Sequence, residues 1–294
     1  MAERRRAGAA ELRGSDPHAG EPFFFAGGSI GCILLHGFTA APREMRPLGE
    51  FLNERGITVH GVRLAGHGTR PQDLACATWR DWYTSALDAA HGLRERCHAV
   101  FACGLSLGGA LCLLLAADRE VDGAVAVNTP LHPYDRRLKY ARFLAPFKPY
   151  TPKRLANLHD RAALADHADY LRIPTRAAAE MHRVTRVLER ALPRVDAPVL
   201  VIQSRLDRVV PPEDGQTIFD RIATSDKRLV WLARGGHIAT EDYDKESVFE
   251  ETLRFIVAHS VESPTSNLQL PTSNLQPPTS NLQPPTSSSQ HPTP

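Results

Sequence analysis

Six short apolar runs recur along the chain, at Ile30–Leu35, Ile57–Val62, Ala99–Cys103, Gly123–Val127, Pro198–Gln203 and Arg228–Leu232. Stretches of helical periodicity separate most of them, at Arg43–Arg55, Trp79–Arg96, Leu107–Ala117, Glu213–Ile222 and Ser247–His259. A strand that is apolar at successive positions offers no face to water, so both of its faces must be covered. Such strands alternating with helices predict an α/β fold, a mostly parallel sheet with helices on both faces. In these sheets the reactive side chains stand on loops at the carboxyl ends of the strands.

This pattern occupies residues 26–262 of the 294. The first 25 residues, rich in Ala, Gly, Arg and Pro, read as a flexible arm. Residues 263–294 hold no charged or aromatic residue and 8 of the 23 prolines. A seven-residue unit repeats there from Pro264, Pro271 and Pro278, with one or two prolines per unit. Prolines at that density cannot build a helical seam, so the segment is expected to be a disordered, extended tail. Between Pro130 and Val195 the pattern breaks again. There 14 Lys and Arg face 6 Asp and Glu, and five prolines precede helical patterns at Leu155–Leu171 and Thr175–Leu192. We read residues 130–195 as an inserted helical cap with its own basic character.

Charge and cysteine usage exclude several classes. The net charge is +2 and no basic run exceeds Arg4-Arg5-Arg6, so no nucleic-acid partner is expected. No apolar stretch approaches the roughly 18–20 residues of a membrane helix. Phe23-Phe24-Phe25 falls short of the about 7–15 apolar residues of a secretory leader. Five cysteines with no C-x-x-C predict reduced thiols in a cytoplasmic protein, not a disulfide frame or a zinc site. The basic cap is the segment suited to weak contact with an anionic lipid surface. Nothing in the sequence sets an oligomeric state.

The most specific motif is Gly104-Leu105-Ser106-Leu107-Gly108, which follows one apolar run and opens a helical stretch. As a bare pattern, G-x-S-x-G arises by chance in roughly one chain in ten of this length. Its position between strand and helix makes it specific. A nucleophile on so sharp a turn needs strained backbone, and side chains beside it would collide with the neighbouring strand and helix. Gly104 and Gly108 meet that need, and Gly109 allows closer approach still. The turn also sets Ser106 at a helix N-terminus, where N–H groups favour negative charge. The bland alternative is an incidental serine at a glycine-rich helix start.

A serine hydroxyl needs a base, and the base needs an orienting acid. His237, in Arg234-Gly235-Gly236-His237-Ile238, follows the last strand and precedes the final helix. Asp207 lies just beyond the run Pro198–Gln203, where its alternative role is a salt bridge to Arg205 or Arg208. Asp122 stands at the wrong end of its strand, and Asp242 and Asp244 follow His237 too closely to orient it. The order Ser106, Asp207, His237 differs from that of chymotrypsin or subtilisin. The run Ile30–Leu35 ends in His36-Gly37-Phe38-Thr39. That loop would offer the Phe38 N–H, with the Leu107 N–H after the nucleophile, as an oxyanion hole. His36 reads as a structural histidine bonding the loop.

These residues, with Gly66-His67-Gly68-Thr69 and Trp79-Arg80-Asp81-Trp82, resemble the α/β-hydrolase family of bacterial carboxylesterases and monoacylglycerol lipases. The resemblance runs from about Ile30 to His259. It implies Ser106 as nucleophile, His237 as general base, Asp207 as acid, and Phe38 and Leu107 as oxyanion donors. It also implies a small-molecule ester substrate and chemistry that needs no metal or organic cofactor. It further implies a small helical cap over an apolar acyl pocket at the place of residues 130–195, but not the positive charge of that segment. Serine aminopeptidases and C–C bond hydrolases keep the same triad and stand as alternatives. A non-catalytic ligand receptor on the same fold is a third.

Overall fold

A computed structural model of the chain describes residues 12–132, 140–153 and 156–260. The main sheet contains β1 (Phe23–Phe25), β2 (Ile30–Leu35), β3 (Thr58–Val62), β4 (Ala99–Leu105), β5 (Gly123–Val127), β8 (Val199–Ser204) and β9 (Lys227–Leu232). Its strand order is β1-β3-β2-β4-β5-β8-β9, and every pairing is parallel except that of β1 with β3. Residues 130–195, read from the sequence as a cap, contain an antiparallel pair, β6 (Tyr150–Pro152) and β7 (Arg172–Pro174).

Alternate residues of each strand enter two separate cores, as the period of two requires. Ile33, Leu35, Val100, Ala102, Ala124, Ala126, Val199 and Val201 pack on one face against the helices Trp79–Arg94, Leu107–Ala117, Thr175–Ala191 and Pro212–Arg221. Cys32, Leu34, Phe101, Cys103, Val125, Val127, Leu200 and Ile202 pack on the other, against Arg46–Asn53 and Lys245–His259. Parallel pairing across β2, β4, β5 and β8 brings their carboxyl ends to one edge, where Leu35 stands opposite Gly104 and Leu105 opposite Val127.

The six expected strands and five expected helices are present with small shifts at their ends. The helical stretch Arg43–Arg55 divides into a 3₁₀ turn, Pro42–Met45, and a helix, Arg46–Asn53, where Pro47 in the first turn supplies no N–H. A short helix at Pro71–Cys76 is additional.

Two expectations change. Residues 12–25 are docked on the domain and are not a loose arm. Leu12 bridges to Tyr170, the Arg13 N–H donates to the Asp169 carbonyl at 2.7 Å, and β1 closes the sheet edge. Phe23 is the reason: its ring fills the space left by Gly49 and Gly61, where a Cβ at Gly61 would lie 2.0 Å from it. The helical pattern Leu155–Leu171 contracts to Arg161–Asp166, capped by the Asp160 carboxylate. The next four residues are extended because Asp169 and Tyr170 bridge to Ala40 and Leu12. Residues 1–11, the tail from 263 and residues 133–139 and 154–155 of the cap lie outside the described residues.

Candidate active site

Ser106 sits between β4 and the helix Leu107–Ala117 with φ 56° and ψ −113°, in the region that L-residues avoid. The neighbouring strand holds it there, since its N–H donates to the Val127 carbonyl at 2.8 Å. The glycines around it are steric necessities. A Cβ on Gly104 would stand 2.3 Å from the Gly108 carbonyl carbon, and one on Gly109 would stand 2.0 Å from Thr129 Oγ1. The strained turn at Ser106 thus needs glycine on both sides of it.

His237 and Asp207 meet although 30 residues separate them. Their Nδ1 and Oδ2 lie 2.7 Å apart, and both residues are buried. The other Asp207 oxygen accepts the N–H groups of Val209 and Val210, at 2.7 and 2.9 Å. The carboxylate is thus anchored by its own loop and does not pair with Arg205 or Arg208. Oδ2 is left to fix the imidazole, so that Nδ1 carries the proton and Nε2 is free to act as a base. Asp242 and Asp244, set aside as triad acids, have a different task. Asp242 accepts the N–H groups of Gly236, His159 and Asp160, and Asp244 those of Arg234 and Gly235. They shape the loop that carries His237. Burial alone would raise the Asp242 pKa, but the N–H donors turned toward it bring it below the usual carboxylate value.

The loop after β2 is pinned on nearly every side. His36 donates from Nδ1 to the Gly37 carbonyl at 2.9 Å and accepts the Leu64 N–H at Nε2, at 3.3 Å. Burial lowers its pKa to about 4, so it is a neutral structural group, as read from the sequence. The Gly37 N–H donates to Glu44 Oε2 at 2.6 Å. Thr39, at φ 66°, gives its hydroxyl to the Phe38 carbonyl and receives a hydrogen bond from Lys153 Nζ at 2.6 Å. Neither the Phe38 nor the Leu107 N–H donates to any of the described residues. The Gly37 backbone is close to Ser106, since a Cβ built there would lie 3.7 Å from Ser106 Cβ. The loop can therefore present unpaired N–H groups where charge would develop on an attacked carbonyl.

Three polar residues of this edge carry no motif. Asn128 closes β5 at φ 45° and spans two loops. Its Nδ2 donates to the His237 carbonyl at 2.8 Å, and its Oδ1 accepts the Ser204 N–H at 2.7 Å. Glu44 is buried, and that burial raises its pKa against the opposing charge of His167. His167 is buried beside Glu241 at 2.6 Å and Asp169 at 3.9 Å. Glu44 is flanked by Arg43 and Met45-Arg46 and His167 by Asp166 and Ala168-Asp169, so no apolar run marks either, and their partners lie too far along the chain to be named from sequence.

Among the described residues, no group of three or more His, Cys, Asp or Glu is placed to hold a metal ion. No described helix is long and apolar enough to cross a membrane.

Residues 29–244 match the model of a hydrolase family described as serine aminopeptidase, S33. The chain is 33% identical over 243 residues to a thermostable monoacylglycerol lipase of Bacillus sp. (strain H-257), covering 82% of this chain and 95% of that one. It is 29% identical over 243 residues to a carboxylesterase of Bacillus subtilis (strain 168), covering 80% and 96%. Among solved structures, one described with LipS and LipT, two metagenome-derived lipolytic enzymes, superposes with a TM-score of 0.79 at 36% identity. It covers 82% of this chain and 98% of its own. A monoacylglycerol lipase of Paleococcus ferrophilus shares the fold, with a TM-score of 0.71 at 21% identity and coverage of 81% and 98%.

Proposed function

The chain belongs to the serine aminopeptidase S33 family of α/β-hydrolases, and from that membership we propose that it hydrolyses carboxylic esters through an acyl-enzyme on Ser106. The substrates are short- to medium-chain acyl esters or monoacylglycerols. The observation that carries this reading is the buried His237–Asp207 contact at 2.7 Å, at the same sheet edge as a serine on a strained strand-to-helix turn.

The chemistry follows from the groups present. His237 Nε2 takes the Ser106 proton as Oγ attacks the ester carbonyl. The oxyanion is held by the Phe38 and Leu107 N–H groups, with the helix N-terminus behind the second. The imidazolium, stabilised by Asp207, then protonates the departing alcohol. Water attacks the acyl-enzyme by the same route and releases the acid.

The family's description makes amide hydrolysis the second reading, and the cap argues against it. An aminopeptidase needs a free carboxylate to hold the substrate amine. Each described acid of the cap is already engaged. Asp160 caps a helix, and Asp166 and Asp169 pair with Arg43 and Lys153. Glu180 and Glu189 pair with Arg183 and Arg186. Hydrolysis of p-nitrophenyl esters and monoacylglycerols, with Ser106→Ala as control, tests the proposal. Equal turnover by Ser106→Ala would overturn it, and turnover of aminoacyl amides without esters would select the peptidase.

The cap also presents Phe143, Leu144 and Phe147 to solvent beside Arg142 and Lys148. Apolar rings among cations suit weak adsorption to an anionic lipid surface, where acylglycerols reside. Co-sedimentation with liposomes that ignores anionic lipid content would remove this contact. The described cysteines are all free and four of them buried, which accords with a reducing, cytoplasmic setting.

A further inference from the structure

Asn157 lies in the cap, between β6 and the helix Arg161–Asp166, yet its hydrogen bonds run to the two loops that carry Asp207 and His237. Its side-chain Oδ1 accepts the Arg208 N–H at 2.9 Å and the His237 N–H at 3.0 Å. Its main-chain carbonyl accepts the same His237 N–H at 2.8 Å and that of Ile238 at 3.3 Å. One residue therefore joins the position after the acid to the base itself.

A second feature points to the same contact. A Cβ on Gly236 would stand 2.5 Å from the Asn157 carbonyl oxygen and 2.8 Å from its Cγ. The glycine ahead of the histidine is thus required by the approach of Asn157, beyond any demand of the turn. Adjacent residues extend the seam. His159 Nδ1 contacts the Arg234 carbonyl at 3.0 Å, and the His159 and Asp160 N–H groups donate to Asp242. On the opposite side, Asn128 holds the His237 carbonyl. The base is fixed through its N–H by the cap and through its C=O by the sheet.

We infer that Asn157 is a positioning residue through which the cap sets the His237–Asp207 geometry. This rests on the triad reading above. Asn157 does not touch the reacting atoms. Its Oδ1 keeps the loop after Asp207 in register with His237, so that Oδ2 and Nδ1 stay at bonding distance before substrate arrives. Displacements of about 1 Å in such groups cost on the order of 100-fold in rate.

The test compares Asn157→Ala and Asn157→Asp with the parent protein and with Ser106→Ala. Asn157→Ala removes the side-chain acceptor and is expected to lower kcat about 10- to 100-fold, with KM changed less than about threefold. Asn157→Asp keeps an acceptor of the same shape and is expected to retain most of kcat. The proton shared by His237 and Asp207 gives a direct readout as a far-downfield proton resonance. It should persist in Ser106→Ala and Asn157→Asp, and broaden or vanish in Asn157→Ala while the thermal transition remains cooperative. Unchanged kcat and an unchanged resonance in Asn157→Ala would overturn the positioning role while leaving the triad intact. Full activity in Ser106→Ala would instead overturn the triad. Loss of activity in Asn157→Asp equal to that in Asn157→Ala would also count against the role, since the acceptor is preserved.

Discussion

Gly108 lies against Leu35 so closely that a Cβ at Gly108 would stand 2.0 Å from the Leu35 carbonyl oxygen and 2.6 Å from its carbonyl carbon. The helix that begins after Ser106 is therefore seated directly on the last residue of β2, the strand that leads into the His36–Thr39 loop. This contact joins the Ser106 turn to the loop that carries Phe38 through backbone alone.

Gly108→Ala must push two main chains apart, because the Leu35 carbonyl that it would meet is backbone and cannot swing away like a side-chain tip. We expect destabilisation of at least about 3 kcal/mol, beyond the usual overpacking range, together with loss of ester hydrolysis. Gly92 is the matching control. It lies exposed in the helix Trp79–Arg94 with nothing within 4 Å of a built Cβ. Gly92→Ala should stabilise the protein by about 0.5–1 kcal/mol and leave kcat unchanged. Chemical denaturation of both variants checks the pair, and equal midpoints would refute the steric account.

Asp207→Asn is expected to leave the fold intact, because its anchors to Val209 and Val210 need only an acceptor. Turnover should fall by up to about 10⁴, the loss seen when an amide in this role favours the wrong imidazole tautomer. A substitution of Phe38 that keeps the main chain in place should act differently, since its proposed oxyanion donor is an N–H group. Steady-state kinetics separate the two: kcat falls for Asp207→Asn, whereas side-chain truncation at Phe38 mainly alters KM. A full-rate Asp207→Asn enzyme would remove Asp207 from the triad.

Ser106, Asp207 and His237 could be singled out as candidates from the sequence because each sits in a local pattern that sterics enforce: strand, tight turn, then helix or loop. The glycines that mark those turns are close in the chain to the residues they serve. Asn128 and Asn157 could not be read in this way. Their partners at His237 lie about 80 to 110 residues away, and neither asparagine has a distinctive neighbour. Docking of residues 12–25 was hidden for the same reason, since Phe23 fills a space created by Gly49 and Gly61 on other elements. The helical spacing of Leu155–Leu171 is real, but tertiary pairing of Asp169 and Tyr170 overrides it.

On the acid side, stability should be governed in part by His36. Its two nitrogens are committed to the Gly37 carbonyl and the Leu64 N–H, so a second proton would face a donor with no acceptor. The folded pKa, about 4, is below the unfolded 6.5. The unfolded chain therefore binds the proton first, and stability is lost as pH falls from 6.5 toward 4. A shift of that size corresponds to about 3 kcal/mol, or roughly 6–12 °C in Tm for a domain of this size. Burial holds the His67 pKa down as well, so it adds to the same limb. Thermal melts between pH 7 and pH 4 that stay flat would refute this.

The alkaline limb should run the other way and depend on His167. Burial alone would lower its pKa, but the bonded Glu241 carboxylate and the nearby Glu44 more than offset that, and the net shift is upward. A raised histidine holds its proton better folded than unfolded. Its contribution is complete below the unfolded value and disappears as pH rises through the folded one. Loss of that proton leaves Glu241 without its cation and reduces the positive charge near Asp169, which retains Lys153 and Arg13. Glu44, whose own pKa burial raises, acts in the same direction because its ionised form is disfavoured in the folded state. His167→Gln can still donate to Glu241 but cannot titrate. The parent protein should therefore lose Tm as pH rises above 6.5, and His167→Gln should do so less steeply and start from a lower Tm at pH 6. Parallel curves for the two proteins would show that the imidazole is not the group responsible.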